Sequence, residues 1–399
     1  MIKIKEFDDA IDALLPEIIE IRQKLHANPE LSLKEYRTSD FIRARLAQLD
    51  VEILPPFLST DVVALLGYPK KWKNVTLRAD MDALPINEEN TFPYCSNNRG
   101  VMHACGHDGH TAILLGTAMI LEKYKEQLEG SVRLVFQPGE EVVAAGKDLV
   151  GKGILTNPSP DAVLALHGWP GYPTGAICSK SGDLMAAADF YEIKIKGGGG
   201  HGSRADQQNN PIVLASKIVS RLTSIPEREF SHDAPVVISI NKFTGGTTSN
   251  VIPGEVMMEG STRYFDQSAG EQIPALFEKV LRETCAGTEL NYELAYERPY
   301  MATVNDPAIV HECRRLTKQF MGASAWIDIR EPVMSSEDFS YYISGNPGGM
   351  FFLGMGEDSP GLHTNTFDFN DQALKNGIKF LVISALSLLS GNIIDHNFQ

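Results

Sequence analysis

The 399-residue sequence predicts an α/β protein with a second, α+β domain inserted into it. Three observations carry that reading. Over the first 186 residues, short continuous apolar runs alternate with segments of helical period, as in a sheet covered by helices on both faces. From residue 187 the strand-like segments alternate apolar and polar positions instead, the pattern of a sheet with one wet face. After residue 301 the first texture returns. The expected domains are therefore 1–186 with 302–399, and an insertion at 187–301. A chain of this length ordinarily organises two hydrophobic cores.

The elements follow in order. Ile11, Leu14, Leu15, Ile18, Ile21 and Leu25 recur at helical spacing, and TSDFIRARLAQL (38–49) repeats the pattern. Buried strands are expected within 61–68, 74–85, 131–141, 161–170 and 349–357, with a helix over 108–128. Several of these strands end in polar residues: Asp80 and Asp82, Glu140 and Glu141, then His167. In open α/β sheets ligands bind off the carboxyl ends of the strands, so these residues could converge on one crevice. In the insertion, half-wet strands are expected from 190, over 235–246 and over 255–265. Amphipathic helices are expected over 211–225 and 270–287. Residues 305–322 resume a helical pattern, and a last strand and helix complete the first domain.

Composition narrows the function classes. Apolar residues make up 43% and charged residues 22%, which is ordinary for a globular chain, but the net charge is −15. Phosphate backbones and anionic lipid repel such a chain, which speaks against nucleic acid and membrane partners. MIKIKEFDDA turns acidic at once and does not read as a signal peptide. The apolar runs at 112–121 and 380–389 are about half the length of a bilayer span. Five scattered cysteines show no disulfide framework, which points to a reducing compartment and a cytoplasmic protein.

The densest chemistry lies in VMHACGHDGH (101–110), three histidines and a cysteine in ten positions. Thiolate and imidazole are preferred ligands of zinc and its neighbours, and Cys105 and His107 can be presented to one ion by a single loop. Spacing does not assign His103 or His110. No second cysteine pair exists for a structural zinc site, so further ligands must come from the strand ends. Of Glu140 and Glu141, one can bind metal while the other holds a water proton. His167 stands where a buried strand stops, and His363 lies in a polar loop after another. GGGGHGSR (197–204) lacks the Gly-Lys-Ser/Thr of a P-loop and reads as a flexible loop carrying His201 toward a substrate. By themselves, Asn250 and Arg263 are an ordinary turn residue and an ordinary surface cation.

Taken in order, RADMDALP (78–85), HACGHDGH (103–110), QPGEE (137–141), LHGWP (166–170), GGGGHGS (197–203), SNVIP (249–253), SEDFS (336–340) and LHTNTFDFND (362–371) resemble the aminoacylase/carboxypeptidase family of di-metal hydrolases. The nearest branch is the amidohydrolases, which include hippurate hydrolases, N-acyl-amino-acid amidohydrolases and auxin-conjugate hydrolases. The resemblance spans nearly the whole chain. It implies a mixed-sheet catalytic domain with an inserted α+β dimerisation, or lid, domain. It also implies two divalent ions, Zn²⁺ or Mn²⁺ with Co²⁺ or Ni²⁺ as alternatives, on positions matching Cys105, His107, Glu141, His167 and His363. Glu140 matches the base and Asp82 a ligand-orienting aspartate. Asp80 stands where other branches carry a metal-binding histidine.

His201 matches a histidine that reaches the partner subunit's site to hold the oxyanion. Asn250 and Arg263 match positions that hold the substrate carboxylate. The implied reaction is hydrolysis of an N-acyl amino acid through a metal-bound hydroxide, in a homodimer or larger homo-oligomer. A carboxypeptidase, a dipeptidase or an N-acetyl-diaminopimelate deacetylase would share these residues. A Cys105-dependent hydrolase and a non-catalytic binding protein are the rivals from other classes. The chain departs from its relatives in GSRADQQ after His201 (no proline), in Gly139 for the common alanine, and in Gly168 for a polar residue. These departures bear on the acyl pocket and on the contact between subunits.

Overall fold

Strands written as unbroken apolar runs are buried on both faces: every residue of Asn74–Asp80, Ser131–Gln137 and Gly348–Gly354 is buried. The structure is a computed structural model, and it describes residues 4–67, 73–203, 209–231 and 234–390. Its chain divides into two compact units. One comprises Met1–Leu184, Val304–Glu331 and Asp338–Gln399; the other comprises Met185–Thr303 and Pro332–Glu337.

The first unit is built on a mixed eight-stranded sheet. Its spatial order is Glu52–Ile53, Val62–Leu66, Ser131–Gln137, Asn74–Asp80, Ala162–Trp169, Gly348–Gly354, Ile177–Ser179 and Trp326–Asp328. The four central strands, Ser131–Gln137 through Gly348–Gly354, run parallel, so their carboxyl ends share one edge. Val62–Leu66 is antiparallel and closes one side. The helices Ile4–His26, His107–Lys123 and Leu374–Ser390 pack on one another and contribute Ile11, Ile18, Leu114 and Phe380 to the core. The expected helix over 108–128 ends at Lys123 and continues only as a 3₁₀ turn, Lys125–Gln127.

Among the described residues one helical stretch, Asp371–Ser390, is long and apolar enough to cross a membrane. The ten-residue run seen in the sequence understated it. Burial covers 78% of its most apolar window, as in a core helix.

The second unit carries an antiparallel sheet in the order Val237–Gly245, Glu255–Tyr264, Ala187–Lys196, Asn291–Tyr300. Helices Pro211–Thr223 and Gln267–Cys285 pack with it around Ile193, Ile195, Ile218, Phe277 and Leu281. The second helix starts three residues earlier than its apolar period suggests, because the Asp266 side chain accepts the Ser268 N–H and caps it. The edge strand Asn291–Tyr300 was not anticipated from sequence. Its inner face, Tyr292, Leu294 and Tyr296, is only half-buried against the second core, and it alternates with exposed Asn291, Glu293 and Ala295.

Candidate metal centre

The shared carboxyl edge collects the polar residues. Asp80 ends one strand, the Glu140 turn follows the next, and His167 stands near the end of the third. The 101–110 segment arrives between them. Gly106 takes φ +86°, a conformation that favours glycine, so the chain turns sharply and begins the helix at His107. His363 also has positive φ, +62°, and its N–H is held by the Ala104 carbonyl at 2.8 Å, beside Cys105. A non-glycine residue in that region is strained and is held there by its surroundings.

Five residues from four segments meet here. Cys105 Sγ lies 3.5 Å from His167 Nε2 and 3.3 Å from His363 Nε2. His363 Nε2 lies 3.2 Å from Glu141 Oε1, and His107 Nε2 lies 3.8 Å from the same oxygen. Cys105, His107 and His167 form one group whose ligand atoms lie within 4.8 Å of one another. Cys105, Glu141 and His363 form a second, and His107, Glu140 and Glu141 a third.

Hydrogen bonds fix which ring nitrogen each histidine presents. The nearest partner of His167 Nδ1 is the Gly168 carbonyl at 2.8 Å, so Nδ1 carries the proton and Nε2 offers a lone pair toward Cys105. His107 Nδ1 donates to Asp82 Oδ1 at 3.2 Å, which leaves the buried Nε2 with no hydrogen-bond partner among the described residues. His110 differs. It donates from Nδ1 to Asp80 at 2.6 Å and accepts the Gly168 N–H at Nε2 at 2.7 Å. Both nitrogens are occupied, so His110 supports the His167 strand end and is no ligand. Neither ring nitrogen of buried His103 has a hydrogen-bond partner among the described residues.

The site is built for a cation. Burial disfavours a charged His107, yet Asp80, Asp82 and Glu141 raise its pKa to about 10. Carboxylates that hold a proton so firmly hold a divalent ion in its place. Burial and the adjacent Glu141 and Glu140 carboxylates push the Cys105 thiol well above its usual range. Reactive thiolates need a positive surrounding, and around this thiol the carboxylates outweigh His107, so a thiolate here calls for a bound cation. One thiol, three imidazoles and a carboxylate, with two lone pairs oriented from behind, fit divalent transition ions.

The Glu140–Glu141 turn is pinned from three sides. Asp82 Oδ1 accepts the Glu140 N–H and Oδ2 accepts the Glu141 N–H, both at 3.1 Å. Ser32 Oγ donates to Asp82 at 2.6 Å. Glu35, fully buried, accepts the Gly139 N–H at 3.0 Å and the Thr60 hydroxyl at 2.9 Å. Sequence reasoning did not find Ser32, Glu35 or the Asp80–His110 pair. No local spacing signalled them, because their partners lie 30 positions away for Asp80–His110, 50 for Ser32–Asp82 and 104 for Glu35–Gly139.

His201, Asn250 and Arg263 belong to the second unit. His201 pairs with Val251, and Gly202 N–H donates to the Asn250 carbonyl at 2.8 Å, so His201 and Asn250 sit side by side. His201 Nδ1 lies 2.8 Å from Ser203 Oγ and 3.3 Å from the Ser203 N–H, and its side chain is exposed. Arg263 is half-buried against Phe190 and donates to Ser336 Oγ at 2.7 Å. The unusual loop after His201 falls largely on 204–208, outside the described residues.

A model of peptidase family M20/M25/M40 matches residues 76–386. The N-acetyl-L-cysteine deacetylase of Bacillus subtilis (strain 168) is 35% identical over 384 residues, which are 96% of this chain and 90% of that protein. Thermostable carboxypeptidase 2 of Saccharolobus solfataricus is 35% identical over 382 residues, 94% of each chain. The crystal structure of the Bacillus subtilis YXEP protein, a dinuclear metal binding peptidase, is similar at a TM-score of 0.81 and 32% identity. That likeness covers 95% of this chain and 99% of the other.

Proposed function

Because the chain belongs to peptidase family M20/M25/M40 and is a metal-dependent amidohydrolase with a small-molecule substrate, we propose that it cleaves the amide bond of N-acyl amino acids to a carboxylate and a free amino acid. The convergence of Cys105, His107, Glu141, His167 and His363 beside Glu140 supports this most directly. Those five residues would hold two ions, Zn²⁺ or Mn²⁺, with Co²⁺ or Ni²⁺ as alternatives. When bound, such ions supply the Lewis acidity that makes water nucleophilic at neutral pH.

The chain's own residues do the rest. Glu140 is buried at the head of its turn and takes the proton from the attacking water, then delivers it to the departing amine. His201 donates to the oxyanion that develops on the amide carbonyl; losing one such donor typically costs ~10²–10³ in rate. Arg263 presents a planar guanidinium to the substrate carboxylate, and Asn250 lies beside His201 to hold the same group. The inserted unit would pair two subunits so that His201 serves the partner's site, in a cytoplasmic homodimer or larger oligomer.

The test is turnover of a panel: N-acetyl amino acids including N-acetylcysteine, hippurate, N-acetyl-diaminopimelate and a dipeptide. Each is assayed before chelation, after it, and on restoring each metal. We expect activity to vanish with the chelator, to return with metal, and to be absent in Glu140→Ala. A dipeptide preferred over every N-acyl amino acid would favour the carboxypeptidase reading that the Saccharolobus relative suggests. Turnover that survives chelation and dies on alkylation would give the chemistry to Cys105.

A further inference from the structure

A second buried carboxylate stands behind the Glu140 turn. Asp338, in the SEDFS motif, is fully buried. Its Oδ1 accepts from Arg78 Nη2 and from Gln137 Nε2, each at 2.8 Å. Its Oδ2 accepts from Gln137 Nε2 at 2.7 Å and from the Gly146 N–H at 2.8 Å. Arg78 in turn reaches Asp80 at 2.6 Å and Gln137 Oε1 at 2.9 Å. Asp338 is thereby tied to two neighbouring strand ends and to the helix Ala145–Gly151, just after the turn. All these residues belong to the first unit, which the chain re-enters at Asp338.

Charge pairing alone does not explain this residue. Arg78 pairs with Asp80 as well, which it shares with His107 and His110, so Asp338 also carries part of its charge. Burying a second carboxylate is costly unless its oxygens are well satisfied, as these are. What Asp338 secures that Asp80 cannot is its own main chain: the Asp338 N–H donates to Glu140 Oε1 at 3.4 Å. Long contacts of this kind in unliganded sites tighten in the reacting complex.

We propose that Asp338 is a positioning residue for the reaction, its anchored side chain fixing the backbone N–H that aims the Glu140 carboxylate. The inference rests on the reading of Glu140 as the base. A misplacement of about 1 Å at a reacting group can cost ~10²-fold. Losing the anchor should therefore lower kcat while leaving substrate binding and metal content in place.

A double-mutant cycle tests this on the metal-loaded enzyme, with kcat, KM, bound metal and melting temperature measured for Asp338→Asn, Glu140→Gln and the pair. We expect Asp338→Asn to lower kcat ~10–100-fold with KM and metal content unchanged, and to cost nothing further once Glu140 is Gln. An equal loss in both backgrounds, a loss carried by KM, or released metal would overturn the positioning role while leaving Glu140 as base. Full turnover in Glu140→Gln would overturn the base assignment and this proposal with it. Should Asp338→Asn fail to fold, the Gln137→Glu/Asp338→Asn pair returns a carboxylate to face Arg78 and enters the same cycle.

Discussion

His107 and His110 stand three positions apart in one motif and receive opposite chemistry from their hydrogen bonds. His107 keeps Nε2 open, whereas His110 has both nitrogens occupied by Asp80 and Gly168. Spacing could nominate both histidines but could not separate them, because the deciding partners come from two strands distant in sequence. His26 shows a third environment. Burial opposes its charged form, but Asp108 at 2.8 Å and Glu88 at 3.1 Å raise its pKa to about 9 from 6.5. His103, Phe92 and Tyr94 also face it, and Arg22 shares its Asp108 partner at 3.5 Å. The sign follows: a raised pKa stabilises the fold fully below about pH 6.5, and that contribution disappears as the pH rises through about 9. Urea midpoints between those pH values should fall for the wild type and fall less for His26→Gln. Parallel curves would show that His26 does not titrate with folding.

At the scale of elements, the helix His107–Lys123 depends on what it lacks. Gly109 lies where a Cβ would overlap the Phe369 ring, so the glycine lets the His107 end of the helix close against the 361–371 loop that carries His363. In an isolated helix Gly→Ala would stabilise by about 1 kcal/mol. Here overpacking should dominate, and Gly109→Ala should destabilise by about 1–3 kcal/mol. Denaturant unfolding measures the sign, and stabilisation would mean that the Phe369 ring moves aside freely. The central strands were legible because burial on both faces writes continuous apolar runs such as SVRLVF. The edge strand Asn291–Tyr300 was missed although Tyr292, Leu294 and Tyr296 line one face, and the two-residue pair Gly200–His201 with Val251–Ile252 was missed because main-chain pairing rather than apolar burial defines it.

For the whole molecule, the proposed service of His201 to a partner's site makes a prediction about mixtures. His201→Ala and Glu140→Ala subunits should each be inactive, yet together they should recover activity by forming hybrids with one complete site. Inactive mixtures, with hybrids shown to form, would place His201 in its own subunit's site.

Sequence by itself determined the α/β class and the texture change near residue 187, and short spacing nominated Cys105 and His107 as a ligand pair. The full set of Cys105, His107, Glu141, His167 and His363, with Glu140 as base, came from the family resemblance. Tertiary structure decided which nitrogen each histidine offers, that His110 is a support, and that Ser32, Glu35, Arg78 and Asp338 brace the glutamate turn. Those roles arise from contacts between residues up to 260 positions apart, as with Arg78 and Asp338. Hydrogen-bond geometry at such range comes into being only when parallel strands bring their carboxyl ends to one edge, and no local pattern in the chain encodes it.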